Sequence, residues 1–215
     1  MIRGCGASCT IRRLDYRIYH AVNEFAVDFK WLAHATYYFE TAGVVLYGLA
    51  VLTLWLATAP GEERRWKLAA LAGGVSAAVS LLVNQLIGTL IWHRARPYET
   101  HPQVYHLTHS HDPSFPSDHA SAAFGLAFGI YFVDRRVGQF FIAVAALIAA
   151  GRVLVGAHYA TDVLASLAVS VVVAYLIVRF ARRPLDRGVL LLERISDPVV
   201  APVHNWWQRR SLTTR

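Results

Sequence analysis

The sequence contains little charge and little cysteine. Only 16% of its 215 residues are charged, compared with about 25% in soluble domains. The two cysteines, Cys5 and Cys9, both lie near the N-terminus, so the chain has no disulfide framework of the kind that stabilises small secreted domains. The N-terminus also lacks the continuous apolar run of a secretory signal. These absences argue against an ordinary soluble domain and against a disulfide-rich one.

Apolar residues are abundant instead, and they are clustered. They make up 55% of the chain, and several apolar stretches approach the roughly 20 residues that cross a bilayer core. The stretches cover approximately residues 41–59, 66–92, 117–133, 139–156 and 161–180. In the second stretch, Gly73, Ser76, Ala77 and Ser80 are small enough for close packing between helices. The pattern indicates an integral membrane protein.

The two ends of the chain are more polar than the middle. Residues 14–40 alternate apolar and charged side chains at near-helical spacing, which predicts one or two interfacial helices that do not cross the membrane alone. We therefore expect an all-α, polytopic helical membrane protein with about five to six transmembrane helices. Its three parts are an N-terminal interfacial helical segment (1–40), a transmembrane domain (41–180) and a basic cytoplasmic tail (181–215).

The net charge of +7 does not indicate a nucleic-acid-binding protein, because no basic helix or known reader motif is present. Most Lys and Arg residues lie between the apolar stretches and in the tail, which the positive-inside rule places in the cytoplasm. Residues 93–116 and 156–161 then share the outer face of a bacterial plasma membrane. The N-terminal arginines do not fit this topology, since five spans leave the N-terminus outside; that segment dips back, or the span count is wrong by one.

The outer segments hold most of the unusual polar residues. In GRVLVGAHYATD, Arg152 is followed by His158 and then by Asp162. If a helix begins after Gly156, His158 and Asp162 lie on one face, and the carboxylate can orient the imidazole as a nucleophile or base. Arg152 offers a planar fork of donors to a phosphate. The alternative interpretation is a buried Arg–Asp pair beside a packing histidine.

A second outer motif, FPSDHA, opens the third apolar stretch. Ser117 is a good helix N-cap, and the free N–H groups that follow it attract an anion. His119 can donate a proton to a leaving oxygen. Arg94 and Arg96 could be ordinary interfacial residues whose side chains reach toward water. Their convergence with a helix N-terminus and two histidines nevertheless predicts a site that binds a tetrahedral oxyanion and moves protons around it.

Together these motifs resemble the type-2 phosphatidic acid phosphatase superfamily of membrane lipid phosphatases and vanadium haloperoxidases. The motifs are Arg96-Pro97, then Pro116-Ser117-Asp118-His119, then Arg152 with His158 and Asp162. Within the superfamily, the Pro-Ser-Asp-His form and the polar N-terminal segment resemble the bacitracin-resistance type of undecaprenyl-diphosphatase. The resemblance implies removal of the terminal phosphate of undecaprenyl diphosphate on the outer leaflet, which recycles a cell-wall lipid carrier.

The resemblance also implies a role for each motif residue. His158 would form a phosphohistidine, Asp162 would orient it, and His119 would be the general acid. The groups that would hold the phosphoryl oxygens are Arg96, Arg152 and Ser117. No metal or other cofactor is implied, because arginines supply the positive charge that Mg²⁺ supplies in kinases.

Three positions depart from the family pattern, and one of them, Gly151 in place of a frequent serine, is a small loss. Thr89 stands where the family usually has a lysine, so it could bond a phosphate oxygen but not neutralise it. Arg94 is a candidate substitute for that lysine. Asp118 replaces a common glycine and would repel phosphate unless it is turned away or paired, with Arg94 as a candidate partner.

Other functions are also compatible with the pattern. The substrate could be phosphatidic acid or phosphatidylglycerol phosphate, because the tail pocket consists of generic apolar residues. The histidines of the outer loop could instead bind zinc or copper; they are His101, His106, His109 and His111. A transporter or scaffold fits less well, because transporter charges usually lie near the bilayer midplane. The expected partners are the lipid substrate and the bilayer, and the sequence does not indicate an oligomeric state.

Overall fold

The computed structural model describes residues 7–58 and 64–213, and it places the side chains of residues 11–43, 45–58 and 64–202. Helix is the only regular secondary structure in the described residues, which confirms the expected all-α fold. The helices are α1 (Ala7–Asp28), α2 (Lys30–Leu56), α3 (Arg65–Leu86), α4 (Pro97–Thr100), α5 (Asp118–Tyr131), α6 (Arg135–Leu154), α7 (Ala160–Phe180) and α8 (Arg182–Thr213). A π-helical turn at Ile87–Ile91 continues α3. Cys5 and the side chain of Cys9 lie outside the described part of the chain.

Within the described residues, four helices are long and apolar enough to cross a membrane. They are Lys30–Leu56, Arg65–Ile91, Arg135–Leu154 and Ala160–Phe180. The third apolar stretch of the sequence forms α5, which has 14 residues and is therefore only about 21 Å long. By length alone α5 does not span a bilayer core of about 30 Å. Four of the five to six expected spans are thus present as full-length helices in the described residues.

The N-terminal part differs from the expected interfacial segment. The first spanning helix begins at Lys30 rather than near residue 41, so the boundary expected at residue 40 falls inside α2. Only α1 remains as a candidate interfacial helix. One side of α1 is buried, at Asp15, Tyr19 and Ala26, and an apolar stripe on another side is exposed. Such a two-sided helix is typical of a membrane–water interface.

The bundle has two ends that differ in their polar residues, which we call the basic end and the polar end. The basic end carries the arginines at the starts of α3 and α6 and at the end of α7. Arg65 there forms an ion pair with Asp134 at 3.1 Å. The polar end consists of residues 92–117 and the link 155–159. Helix α1 lies at the polar end, where the Tyr19 hydroxyl donates to the Gly156 carbonyl at 3.5 Å. The N-terminal arginines of α1 therefore lie away from the basic end, which agrees with α2 running from the polar end to the basic end.

Helix α5 occupies the centre of the bundle, packed against α3, α6 and α7. Its contact with α3 is close because the residues on both facing surfaces have small side chains. A Cβ atom on Gly129 would lie 2.6 Å from the carbonyl oxygen of Ala72, and one on Gly125 would lie 2.9 Å from the Cα of Ala77. The buried Ser76 belongs to the same surface, so the close packing expected for the second apolar stretch is confirmed. This contact holds the C-terminal half of α5 against α3.

Substitution of Gly129 by alanine should destabilise the fold. The added methyl group has no space against the backbone of α3, and such overpacking typically costs about 1–3 kcal/mol. The matched control is Gly74→Ala, because nothing lies within 4 Å of a Cβ at Gly74. Thermal unfolding in detergent should show a lower melting temperature for Gly129→Ala only. Equal melting temperatures for the two variants would contradict the packing described here.

Candidate active site

His158 lies in the short link between α6 and α7. The link turns sharply at Gly156, whose φ of 80° lies in the left-handed region that favours glycine. A side chain at Gly156 would also approach the Tyr105 carbonyl oxygen to 2.6 Å. The carbonyl of Arg152 accepts hydrogen bonds from the N–H groups of Ala157 and His158, at 3.0 and 3.2 Å. This turn fixes the His158 ring inside the protein, where it is 2% exposed.

The neighbours of the ring assign its tautomer. Nε2 lies 3.3 Å from Nη1 of Arg96, and Nδ1 lies 2.8 Å from the carbonyl oxygen of Ser114. A guanidinium can only donate, so Nε2 accepts and Nδ1 carries the proton that is donated to Ser114. Burial lowers the pKa of His158 to about 4, so the ring is neutral at pH 7. Its Nε2 lone pair is therefore available to an electrophile that displaces the Arg96 contact.

Asp162 does not bind His158 directly, which differs from the sequence expectation. The distance between Asp162 Oδ2 and His158 Nδ1 is 3.7 Å, too long for a hydrogen bond. Helix α7 begins at Ala160, so His158 precedes it, and the two residues do not share a helix face. Asp162 Oδ2 instead accepts hydrogen bonds from the Ser114 hydroxyl at 2.6 Å and from the Tyr159 N–H at 2.9 Å. Asp162 thus positions Ser114, whose carbonyl binds His158, and Tyr159, which follows His158 in the chain.

Ser117 is the N-cap residue of α5, as the sequence predicts, but its side chain makes no capping bond. The hydroxyl is buried and has no hydrogen-bond partner among the described residues. Buried polar atoms are almost always paired, so an unpaired hydroxyl beside free helix N–H groups is a candidate ligand for an anion. His119 lies two residues further along, within electrostatic range of Arg96, Arg152 and His158.

The two predicted phosphate-binding arginines are both buried, each at 5% exposure. Arg96 donates from Nε to the Asp112 carbonyl at 3.0 Å and from Nη1 to the Ala157 carbonyl at 3.3 Å. Arg152 donates from Nη1 to Glu40 at 2.6 Å, while its Nε is buried without a partner in the described residues. Arg96, Arg152 and Ser117 therefore retain donors that an oxyanion could use.

Arg94 has a different role from the one expected. Its Nη1 donates to Asp162 Oδ1 at 2.6 Å, and its Nη2 donates to Asp15 at 2.5 Å. Asp15 also accepts from the N–H and hydroxyl of Thr161 at the start of α7. With both terminal nitrogens bound to carboxylates, Arg94 is not a free substitute for the missing lysine. It connects α1 to the first turn of α7.

The structure also describes Asp118 and Thr89, the two departures from the family pattern that concern phosphate binding. Asp118 does not pair with Arg94; its carboxylate accepts hydrogen bonds from the amides of Asn84 at 3.3 Å and Gln85 at 2.9 Å. Those amides hold the charge without neutralising it. Thr89 is exposed in the π-helical turn, and its hydroxyl donates to the Gln85 carbonyl at 2.6 Å. This contact gives no support to Thr89 as a phosphate ligand.

Sequence reasoning missed Asp15 and Glu40 as parts of this region. Both are buried carboxylates, at 2% and 0% exposure, and each forms an ion pair with an arginine of the polar end. A signal for Glu40 was present, because an acidic residue within an otherwise apolar helix is usually functional or paired. The assignment of residue 40 to an interfacial segment concealed that signal. Asp15 carried no comparable signal, since it lies among other charged residues.

The outer histidines do not form a ligand cluster. In the part of the chain that the structure describes, no group of three or more His, Cys, Asp or Glu side chains is arranged to hold a metal ion. The rings of His106 and His109 pack against Tyr98 instead, with centroid distances of 4.8 and 5.5 Å. The geometry thus gives no support to the metal-binding alternative.

The fold and this arrangement of His, Arg and Asp side chains define an all-α membrane phosphatase. The family model for the PAP2 superfamily matches residues 69–185. Undecaprenyl-diphosphatase BcrC of Bacillus subtilis (strain 168) is 30% identical over 189 residues, covering 87% of this chain and 94% of that protein. The chain therefore belongs to the PAP2 superfamily, which confirms the resemblance seen in the motifs.

Two further relatives are more distant. The bacitracin transport permease protein BcrC of Bacillus licheniformis is 23% identical, over 87% of this chain and 91% of that protein. Among solved structures, a transmembrane PAP2-type phosphatidylglycerolphosphate phosphatase from Bacillus subtilis superposes with a TM-score of 0.56 at 20% identity. The superposition covers 81% of this chain and 87% of that one. At this identity the structural likeness supports the fold.

Substitution of Glu40 by leucine should destabilise the protein strongly. It leaves the buried Arg152 guanidinium without its ion partner, and such a loss typically costs about 3–5 kcal/mol. The matched control is Glu24→Leu, because the Glu24 side chain is 69% exposed and its loss should change stability little. Melting temperatures in detergent would measure both effects. The ion pair would be unimportant for stability if the two variants melted together.

Proposed function

We propose that the protein hydrolyses undecaprenyl diphosphate to undecaprenyl phosphate and inorganic phosphate through a phosphohistidine at His158. The observation that carries this proposal is the buried, neutral His158 ring, whose Nε2 accepts from Arg96 while Nδ1–H donates to a carbonyl. This is the protonation state of a histidine nucleophile. The 30%-identical relative named as an undecaprenyl-diphosphatase supports the choice of substrate.

In the first step, Nε2 of His158 attacks the terminal phosphorus, and the bond from phosphorus to the bridging oxygen breaks. Burial lowers the pKa of His119 to about 4, so the negative charge of the bound diphosphate must first hold a proton on this ring. His119 then donates that proton to the leaving lipid phosphate. The His158 ring keeps its Nδ1 proton and becomes cationic, and the Ser114 carbonyl at 2.8 Å stabilises that charge. Asp162 acts through Ser114, whose hydroxyl it binds, and adds a negative charge 3.7 Å from Nδ1.

In the second step, water attacks the phosphohistidine and the bond between nitrogen and phosphorus breaks. His119, now neutral, accepts the proton from the water, so inorganic phosphate leaves and both histidines return to their starting states. Arg96, the Nε of Arg152 and the Ser117 hydroxyl hold the phosphoryl oxygens in both steps. These donors have positions fixed before the substrate arrives, which is the arrangement that stabilises developing charge most effectively.

The placement of the site fits a lipid substrate in the outer leaflet of a bacterial plasma membrane. The site lies at the polar end, opposite the basic end, which the positive-inside rule assigns to the cytoplasm. Exposed apolar side chains surround the bundle, among them Leu82, Leu147 and Leu164. A polyprenyl tail can remain in the bilayer against such a surface while the diphosphate reaches the site.

The decisive experiment is phosphate release from undecaprenyl diphosphate in detergent. His158→Ala should lower kcat by at least about a thousand-fold, because the nucleophile is lost. The matched control is His111→Ala, since His111 is exposed on the loop of the same end and should retain activity. Activity of the wild type should persist in EDTA. A fully active His158→Ala variant would exclude His158 as the nucleophile.

The same assay compares candidate lipids. The wild type should show a higher kcat/KM for undecaprenyl diphosphate than for phosphatidic acid or phosphatidylglycerol phosphate. The reverse order would leave the proposed chemistry of the site unchanged, but it would contradict undecaprenyl diphosphate as the preferred substrate. Because His158→Ala tests the nucleophile and the lipid series tests the substrate, the two parts of the proposal can fail separately.

Ser117→Ala should separate catalysis from stability. Loss of the hydroxyl removes one donor to the phosphoryl oxygens, which typically lowers kcat by about 10²- to 10³-fold. The melting temperature should not fall, because the hydroxyl has no hydrogen bond to another described residue to lose. Ser166→Ala is the contrasting variant, since its hydroxyl is bonded at 2.9 Å to the carbonyls of Ser117 and Asp162. Unchanged kcat in Ser117→Ala would remove Ser117 from the phosphate-binding group.

A further inference from the structure

A cavity lies at the polar end, between α1 and the chain that follows α3. Its volume is ≈ 830 Å³, and its lining includes Arg12, Arg13, Trp92 and His93. Tyr16 of α1 stacks on His101 across the cavity wall, with ring centroids 4.2 Å apart. Among the residues whose side chains the structure places, none that lines the cavity is acidic. The space therefore combines positive charge with aromatic surface.

This cavity is separate from the candidate active site. Ser117, His119, Arg152 and His158 are not among the residues that line it. Arg94 lines the cavity and also binds Asp162 of the candidate site, and its guanidinium lies 3.9 Å from the centroid of the Tyr159 ring. Because Arg94 is bound to Asp15 and Asp162, its charge is compensated. The uncompensated charge of the cavity comes from Arg12 and Arg13, which are exposed and form no ion pair with another described residue.

Apolar surface borders the cavity on two sides. Leu90 and Ile91, immediately before Trp92, are each 77% exposed. On α1, Ile11, Leu14 and Ile18 form an exposed stripe beside the arginines, at 56%, 58% and 43% exposure. Aromatic residues such as Trp92 commonly lie at the membrane–water interface. The cavity thus lies where acyl chains could pack outside it and a headgroup could enter it.

We propose that this cavity binds the anionic headgroup of a membrane phospholipid. Arg12 and Arg13 contact the phosphate, Trp92 lies at headgroup depth, and the acyl chains pack against Leu90, Ile91 and the apolar stripe of α1. The bound lipid connects α1 to the chain after α3, and α1 contributes Asp15 to the Arg94 pair. The site is independent of the reaction proposed for His158, since it shares none of the reacting groups.

The test measures lipid binding rather than hydrolysis. The full-length His158→Ala protein in detergent is titrated with phosphatidylglycerol or with phosphatidylcholine, and bound lipid is counted by native mass spectrometry. Phosphatidylglycerol should bind more tightly. Arg12→Gln/Arg13→Gln in the same background should bind phosphatidylglycerol about tenfold more weakly. The matched control is Arg135→Gln/Arg136→Gln, which removes the same charge from exposed residues of the basic end and should bind as tightly as the parent.

Two results would overturn the proposal: equal affinity of the parent for the two lipids, or equal phosphatidylglycerol affinity in the two double variants. A competition arm identifies the source of the phosphate group. Millimolar inorganic phosphate should leave the lipid bound; complete displacement would indicate a site for free anions and contradict a lipid site. If the Arg12→Gln/Arg13→Gln variant does not fold, the salt dependence of phosphatidylglycerol binding to the His158→Ala parent tests the proposal instead. Binding that does not weaken from about 50 to about 300 mM NaCl would exclude an electrostatic headgroup site.

Discussion

Burial of charge at one end of an apolar bundle is the constraint on which this structure depends. An ionised group away from water must be paired or bonded, or it shifts to its neutral form. Arg94 meets this requirement between Asp15 and Asp162, and Arg152 meets it at Glu40. These pairs join α1, α2, α6 and α7 at the level of the His158 ring, so the same contacts that satisfy the charges also fix the geometry around the ring.

The proposed nucleophile, His158, is held by backbone as much as by side chains. The proton on Nδ1 of His158 is donated to a carbonyl oxygen of the loop before α5, and the carboxylate of Asp162 lies behind that loop. An acid that binds the loop rather than the ring can stabilise a cationic histidine without taking its proton. The central position of α5 matters for the same reason, because it brings free helix N–H groups and the Ser117 hydroxyl to the site while its sides pack against three other helices.

Sequence motifs identified the residues that converge, because the superfamily pattern names residue types at fixed spacing. Arg96, Ser117, Arg152 and His158 were found in this way, whereas the all-α membrane fold followed from the length and clustering of the apolar stretches. The spacing rule for helices failed at His158, since Gly156 ends the regular backbone and delays the start of α7. Long-range partners were not predictable: Glu40 and Arg152 are 112 positions apart, and Asp15 and Arg94 are 79 apart. No periodicity of the sequence connects such positions. A backbone carbonyl such as that of Ser114 is present in every residue, so its role cannot be predicted from residue type.

The pairing of Asp15 with Arg94 and of Glu40 with Arg152 bears on where the functional unit begins. The family model covers residues 69–185, yet both carboxylates precede that segment. An excised 69–185 fragment would contain every signature residue, yet it would leave Arg152 without its carboxylate and Arg94 with only one of its two, in a water-poor interior. The segment that defines membership of the superfamily is therefore not autonomous in this chain, and the first two helices belong to the same cooperative unit.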